Sequence, residues 1–155
     1  MIVVVATVIA PALADDDIDG KRVRNRLRGE QIIAPELLDL EVVSVLRKAV
    51  FDGKLDRLRA DLALIDLADL SLGTVSHRLL LPRIWELHQY VTPYNAAYVA
   101  LSEAINVPLV TADRYLAQSP GLRCAVECLD NTAIKILKLP FRELIYCGVT
   151  VWISN

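Results

Sequence analysis

The chain has 155 residues, of which 54% are apolar, and a formal net charge of −2. This length supports one domain with a substantial core and leaves little room for a second. The weak negative charge excludes nucleic-acid binding through the overall electrostatic field, so any such contact would need a local basic patch. A basic cluster is present at Lys21, Arg22, Arg24, Arg26 and Arg28. The pattern favours a solvated helix face, with a phosphate-contacting role as the alternative.

The cysteines and histidines point away from zinc and from hydrolytic triads. Cys124, Cys128 and Cys147 have no CxxC spacing and no histidine nearby, so they are interpreted as ordinary thiols of a reducing compartment. His77 and His88 have no serine or cysteine motif around them. Functional chemistry is therefore expected from other residue types.

The first predicted element is a buried strand over Ile2 to Ala6 that leads into a helix. The same apolar run, with Ala12 and Ala14 in A-x-A order, also resembles a secretory signal. However, no lysine or arginine precedes it, and it is too short to span a bilayer. We therefore expect a cytoplasmic protein without membrane contact rather than an exported one.

Helices and strands then alternate along the chain, which is typical of an α/β domain with a parallel or mostly parallel sheet. The Lys54 to Leu70 helix carries Leu55, Leu58, Leu62 and Ile65 at helical spacing, which predicts an amphipathic helix. The predicted helices are a short one at Val23 to Leu27, Glu36 to Val50, Lys54 to Leu70, Leu79 to Tyr90, one capped by Thr92, and Arg114 to Gln118; the later predicted strands are Gln31 to Ala34, Gly73 to Ser76, Leu109 to Thr111 and Arg123 to Leu129.

Three polar residues occupy positions where an α/β sheet places its ligands, at strand ends and at the starts of the following helices. Asp113 directly follows the strand LVT, Glu41 lies on the buried side of its helix, and Asn95 is in the first turn of the Thr92-capped helix. Simpler roles are open for each. Asp113 could cap the next helix, Glu41 could pair with Arg47 or Arg114, and Asn95 could be an ordinary first-turn residue.

Three segments carry a family resemblance: IVVVATVIAPAL, APELLDLEVVSVLRK, and TPYNAAYVALSEAINVPLVTAD followed by RYLAQSPGLRCAVE. In order and spacing they resemble PIN-domain proteins, specifically the VapC-type toxins of bacterial toxin–antitoxin pairs, in a form like those of mycobacteria. The resemblance covers roughly residues 1–129, which are predicted to form the PIN-like domain. Residues 130–155 form an atypical apolar C-terminal extension, expected to pack on the domain or to meet a partner.

The resemblance implies a mostly parallel sheet of four to five strands, flanked by helices on both faces. It also implies an endoribonuclease in which four acids bind Mg²⁺ or Mn²⁺. In this chain the second acid falls on Glu41 and the fourth on Asp113, whereas Val5 stands in the first position and Asn95 in the third. Thr7 keeps the family's hydroxyl position after the first acid. The implied catalytic and metal-binding residues are thus Glu41, Asp113 and, weakly, Asn95, with Thr7 in support.

Loss of two carboxylates predicts weak or absent metal binding and impaired cleavage of RNA, because hard divalent cations need oxygen ligands of high charge. The resemblance implies a VapB-type antitoxin as partner, with contacts near Arg47 and on the Asp56 to Asp69 helix, RNA as substrate if the chain is active, and a homodimer. A catalytically dead protein that sequesters antitoxin is the alternative. Whether Val5 and Asn95 reflect gene decay, deliberate inactivation or a new function stays open.

Overall fold

The structure is a computed structural model that describes residues 1–129, so the expectations for residues 130–155, including Cys147, lie outside the described residues. Its centre is a five-stranded sheet in the order β3-β2-β1-β4-β5, in which every neighbouring pair is parallel. The strands are β1 (Ile2–Val4), β2 (Ile32–Pro35), β3 (Gly73–Val75), β4 (Leu109–Thr111) and β5 (Val126–Cys128).

Helices cover both faces of this sheet, as expected for parallel strands that are buried on both sides. The helix at Pro93–Ile105 packs on β1, β2 and β4, and the N-terminal helix at Ala6–Ala14 packs beside the three helices that follow it in the other layer. The helices are α1 (Ala6–Ala14), α2 (Ile18–Leu27), α3 (Leu38–Phe51), α4 (Arg57–Ala68), α5 (Leu81–Glu86), α6 (Pro93–Ile105) and α7 (Arg114–Ala117), with a 3-10 turn at His77–Leu80 before α5.

The central position of β1 confirms the interpretation of the N-terminal run as a buried strand followed by a helix. Val3 pairs with Ile33 on one side and with Leu109 on the other, and both Val3 and Val4 are fully buried. Among residues 1–129, none of the helices combines the length and apolar character needed to cross a membrane.

The prediction of one helix over Leu79 to Tyr90 was wrong. The α-helical part covers only Leu81–Glu86 and follows a 3-10 turn. Pro82 explains where α5 begins, because its fixed φ and missing N–H suit only the first helical turn. The segment therefore forms a short, two-part element beside α6.

The helix predicted over Lys54 to Leu70 is present as α4, but its apolar stripe lies on the surface. Leu58, Leu62 and Ile65 are 69%, 48% and 59% exposed, while Ala60 and Ala63 are buried against the neighbouring helices α1 and α3. Small alanine side chains allow a close helix–helix approach, which turns the larger side chains outward. This leaves an apolar stripe on the surface of the described domain.

Two arginines of the basic cluster on α2 make structural contacts. Arg24 donates to the carbonyl oxygens of Ala12 and Asp15 at 2.9 and 2.7 Å. Arg26 makes a bidentate pair with Glu127, with both distances 2.7 Å, and so ties α2 to strand β5. Lys21, Arg22 and Arg28 are exposed, as a solvated helix face requires, and the phosphate-contacting alternative stays a prediction.

Candidate metal-binding site

The polar residues singled out by the sequence gather around the carboxyl ends of β1 and β4. Val5 follows β1, Asp113 follows β4, and Asn95 lies on α6, which packs against both strands. Glu41 reaches this region from α3 through a hydrogen bond with another α6 residue, Tyr98. The parallel topology thus brings together residues that are far apart in sequence.

Asp113 is a buried helix cap. Its side chain is 5% exposed and accepts a 2.8 Å hydrogen bond from the backbone N–H of Tyr115, while its own N–H donates to Thr111 Oγ1 at 3.0 Å. Burial raises the pKa of Asp113, and hydrogen bonds from the N–H groups of Tyr115 and Leu116 and from the Asn95 side chain oppose that rise. Asp113 therefore caps α7, the simpler role that the sequence left open for it, and it also interacts with Asn95.

Asn95 is held at the start of α6 by the cap of that helix. The Thr92 hydroxyl accepts from the backbone N–H of Asn95 at 3.3 Å, and the half-buried Asn95 side chain interacts with Asp113 and lowers the pKa of that carboxyl. An amide can donate to a carboxylate, whereas an aspartate at this position would face Asp113 as a second negative charge. The residue that departs from the family pattern therefore makes a favourable contact.

Glu41 lies in an apolar environment on the inner side of α3, as its neighbours predicted. Leu38 and Val45, which share its helix face, are 0% and 5% exposed. Burial raises the pKa of Glu41 to about 7, and the hydrogen bond that Tyr98 donates to Oε2 opposes the rise. The proposed pairing with Arg47 is wrong, because the Arg47 guanidinium stacks over the Phe51 ring at 4.7 Å.

Tyr98 is the site residue that sequence reasoning missed. Its ring is 1% exposed, and its hydroxyl is bound by the backbone N–H of Ala6 as well as by Glu41. Burial and the nearby Glu41 charge raise the pKa of Tyr98, so it stays a hydrogen-bond donor. The available signal was its position three residues after Asn95, which places both side chains on one side of α6.

Val5 leaves the start of α1 without a side-chain cap. It occupies the N-cap position with extended backbone, φ −87° and ψ 159°, and is 4% exposed. Ser, Thr, Asp and Asn are the residues that normally cap here, and valine cannot. Thr7, 6% exposed in the first turn, has a buried Oγ1 without a hydrogen-bond partner within residues 1–129. An aspartate in place of Val5 would suit this N-cap backbone.

The residues present do not fit a divalent metal ion well. Within the described part of the chain, no three His, Cys, Asp or Glu side chains come together in a way that could hold a metal. Of the polar groups available, Glu41 already accepts a hydrogen bond from Tyr98, and Asp113 accepts one from the backbone N–H of Tyr115. Hard cations such as Mg²⁺ bind through carboxylate-rich, oxygen-only sites.

Comparison with known proteins identifies the family. A family model of the PIN domain matches residues 2–122. The chain belongs to the PIN-domain family. Within it, this PIN-domain chain is of the VapC type: it is 38% identical to ribonuclease VapC1 of Mycobacterium tuberculosis over 126 residues, covering 81% of this chain and 95% of the relative. It is 33% identical to ribonuclease VapC12 of the same organism, over 70% of this chain and 84% of that one.

Solved structures agree on the fold. The sarcin–ricin loop cleaving toxin VapC20 of Mycobacterium tuberculosis superposes with a TM-score of 0.56 at 12% identity, covering 70% of this chain and 87% of that one. PAE2754 from Pyrobaculum aerophilum gives a TM-score of 0.55 at 23% identity, over 75% and 83% of the two chains. The expected α/β PIN-like fold with its parallel sheet is thereby confirmed.

The raised pKa of Glu41 predicts a stability that falls with pH. Because the folded-state pKa of about 7 exceeds the ordinary value of 4.5, the folded protein binds more protons than the unfolded chain between these pH values. The free energy of unfolding should therefore decrease by on the order of 3 kcal/mol as the pH rises through this window. Urea unfolding across the window measures it. Glu41→Gln, which keeps an acceptor for Tyr98, should flatten the profile; an unchanged slope would contradict the assignment.

Proposed function

We propose that this chain is a VapC-type toxin derived from metal-dependent endoribonucleases, and that its RNA-cleaving step is impaired. The observation that carries the proposal is the composition of the edge site, where Glu41 and Asp113 remain but Val5 and Asn95 replace the other two acids of the family pattern. The relatives named ribonuclease support the RNA substrate class. We place the protein in the cytoplasm, where RNA and a cognate VapB-type antitoxin would both be available.

The impairment follows from the charge of the site. When bound, Mg²⁺ or Mn²⁺ would activate water and stabilise charge on a phosphodiester. Glu41 and Asp113 are the residues that would hold such a cation, with the Asn95 carbonyl as a weak third ligand. We expect each lost carboxylate to weaken cation binding about tenfold. This loss is smaller than the full Coulomb energy of a close charge pair, because solvent and desolvation offset part of that energy.

Restoring the two acids should restore cleavage. We expect the Val5→Asp, Asn95→Asp double variant to cleave RNA in Mg²⁺ about 100-fold faster than the wild type, since each regained carboxylate is worth about tenfold in metal binding. Val5 already has N-cap backbone geometry, so an aspartate there can accept from the first turn of α1. Cleavage by the purified proteins and growth arrest on induction are the measurements.

The matched control adds Asp113→Asn to the double variant, which keeps the fold's capping contact while removing a ligand. This triple variant should lose the increase in cleavage rate. Equal cleavage by wild type and double variant would show that the present site is not impaired. No cleavage by either, with intact folding, would remove the ribonuclease assignment.

A second candidate function, sequestration of antitoxin, is favoured by an exposed apolar surface on α3 and α4. On α3, Leu40, Val43 and Phe51 are 75%, 40% and 75% exposed. On α4, which packs beside α3, the exposed residues are Leu58, Leu62 and Ile65. We call these six residues the α3–α4 apolar surface.

The α3–α4 apolar surface suits a helical partner segment. On α4 its residues recur three or four positions apart, and on α3 Leu40 and Phe51 are eleven positions apart, which is about three helical turns. Such stripes bind the apolar face of an amphipathic helix. Arg47, stacked on Phe51, adds a cation at the same surface. Large exposed apolar patches often mark interaction sites, whereas single exposed apolar residues are common on any protein surface. We propose that the antitoxin binds here; the homodimer remains a prediction.

Charge introduced into this surface should release the antitoxin. The double variant Leu58→Glu, Leu62→Glu is expected to bind the cognate VapB-type antitoxin at least about 100-fold more weakly, because two apolar contacts are lost and charge would be buried. Co-purification and calorimetry measure this. Leu79→Glu, at an 89% exposed position outside α3 and α4, is the control. Equal binding by all three proteins would place the antitoxin elsewhere.

A further inference from the structure

Two residues of α6 face the two remaining acids. The Asn95 side chain interacts with Asp113 and helps to hold down the pKa of that carboxyl, and Tyr98, one turn later, donates a hydrogen bond to Glu41. Asp113 is buried at the end of β4 and also accepts from the backbone N–H of Tyr115 at 2.8 Å, while Glu41 is half-buried on α3. Carboxylates without partners in such places would be costly, so these contacts with protein donors stabilise the site.

A site with four acids has a different electrostatic requirement from this one. Several carboxylates brought together repel one another, and a cation is needed to neutralise them. Here Val5 removes one charge and Asn95 turns another into a donor. Within residues 1–129 no cluster of three potential metal ligands remains.

We infer that the Asn95 amide and the Tyr98 hydroxyl take the place of the metal ion, so that this edge of the fold is complete and stable without a cation. The inference extends the proposed function, since it assumes descent from a four-acid metal site. It concerns stability, however, and can be tested without measuring RNA cleavage.

The discriminating variant is Asn95→Asp. It replaces the donor by a carboxylate facing Asp113, with Glu41 as the third acid of the restored cluster. In EDTA we expect its unfolding midpoint to fall by on the order of 5 °C or more relative to wild type. In Mn²⁺ the midpoint should recover, because the cation neutralises the three acids. The wild-type midpoint should be the same in EDTA and in Mn²⁺.

Two controls separate this effect from general destabilisation. Asn25→Asp makes the same substitution at an exposed position of α2 and should show no dependence on Mn²⁺. Tyr98→Phe removes the donor to Glu41 and should lower the midpoint equally in EDTA and in Mn²⁺. If Asn95→Asp cannot fold at all, Tyr98→Phe still decides, since full wild-type stability in that variant would overturn the inference.

The inference also fails if Asn95→Asp is as stable as wild type in EDTA, or if Mn²⁺ raises the wild-type midpoint. These outcomes are distinct from failure of the proposed function. A restored double variant that cuts no RNA, together with Mn²⁺-dependent stability of Asn95→Asp, would leave the inference standing and remove only the ribonuclease proposal.

Discussion

The need to satisfy two buried carboxylates organises this end of the molecule. Glu41 and Asp113 are brought to one edge of a parallel sheet by the order of its strands, and burial raises the pKa of both. Neither position is tolerable without a partner in a poorly solvated environment. Tyr98 of α6 donates to Glu41, and Asp113 accepts from the backbone N–H of Tyr115 and interacts with Asn95 of α6.

The same reasoning links the site to the outer surface of the domain. The helices α3 and α4 pack closely because α4 turns Ala60 and Ala63 inward. Glu41 faces the sheet from the inner side of α3, while Leu40, Val43 and Phe51 face outward on the same helix. A ligand-binding edge and a partner surface can therefore lie on opposite sides of one helix. Partner binding could persist even where metal chemistry is lost, since the two depend on different residues.

Much of the fold was predictable from local patterns. The strand at Leu109–Thr111 and the Thr92-capped helix follow from an apolar run and from a Thr-Pro helix start. The position of Glu41 followed from the spacing of Leu38 and Val45. The face of α4 could not be predicted, because helical periodicity reveals a stripe but not which side of the helix is packed against neighbours.

The residues of the candidate site could be predicted from the sequence, but the contacts between them could not. Glu41, Asp113 and Asn95 were found from their places in the chain. The family resemblance indicated that Val5 stands where the family has its first acid. Tyr98 looked like part of an apolar helix face, since only the tertiary structure brings its hydroxyl to Glu41 and to the N–H of Ala6. Contacts between residues 57 positions apart are not visible in local periodicity.

We propose that hydrogen-bond donors of the protein, and not a cation, satisfy the acids of this PIN domain. The decisive measurement is calorimetric titration of Mn²⁺ into the wild-type chain and into the Val5→Asp, Asn95→Asp double variant. We expect the wild type to bind Mn²⁺ about 100-fold more weakly than the double variant, or without measurable heat. Equally tight binding by the two proteins would show that a cation site is still present in the wild type.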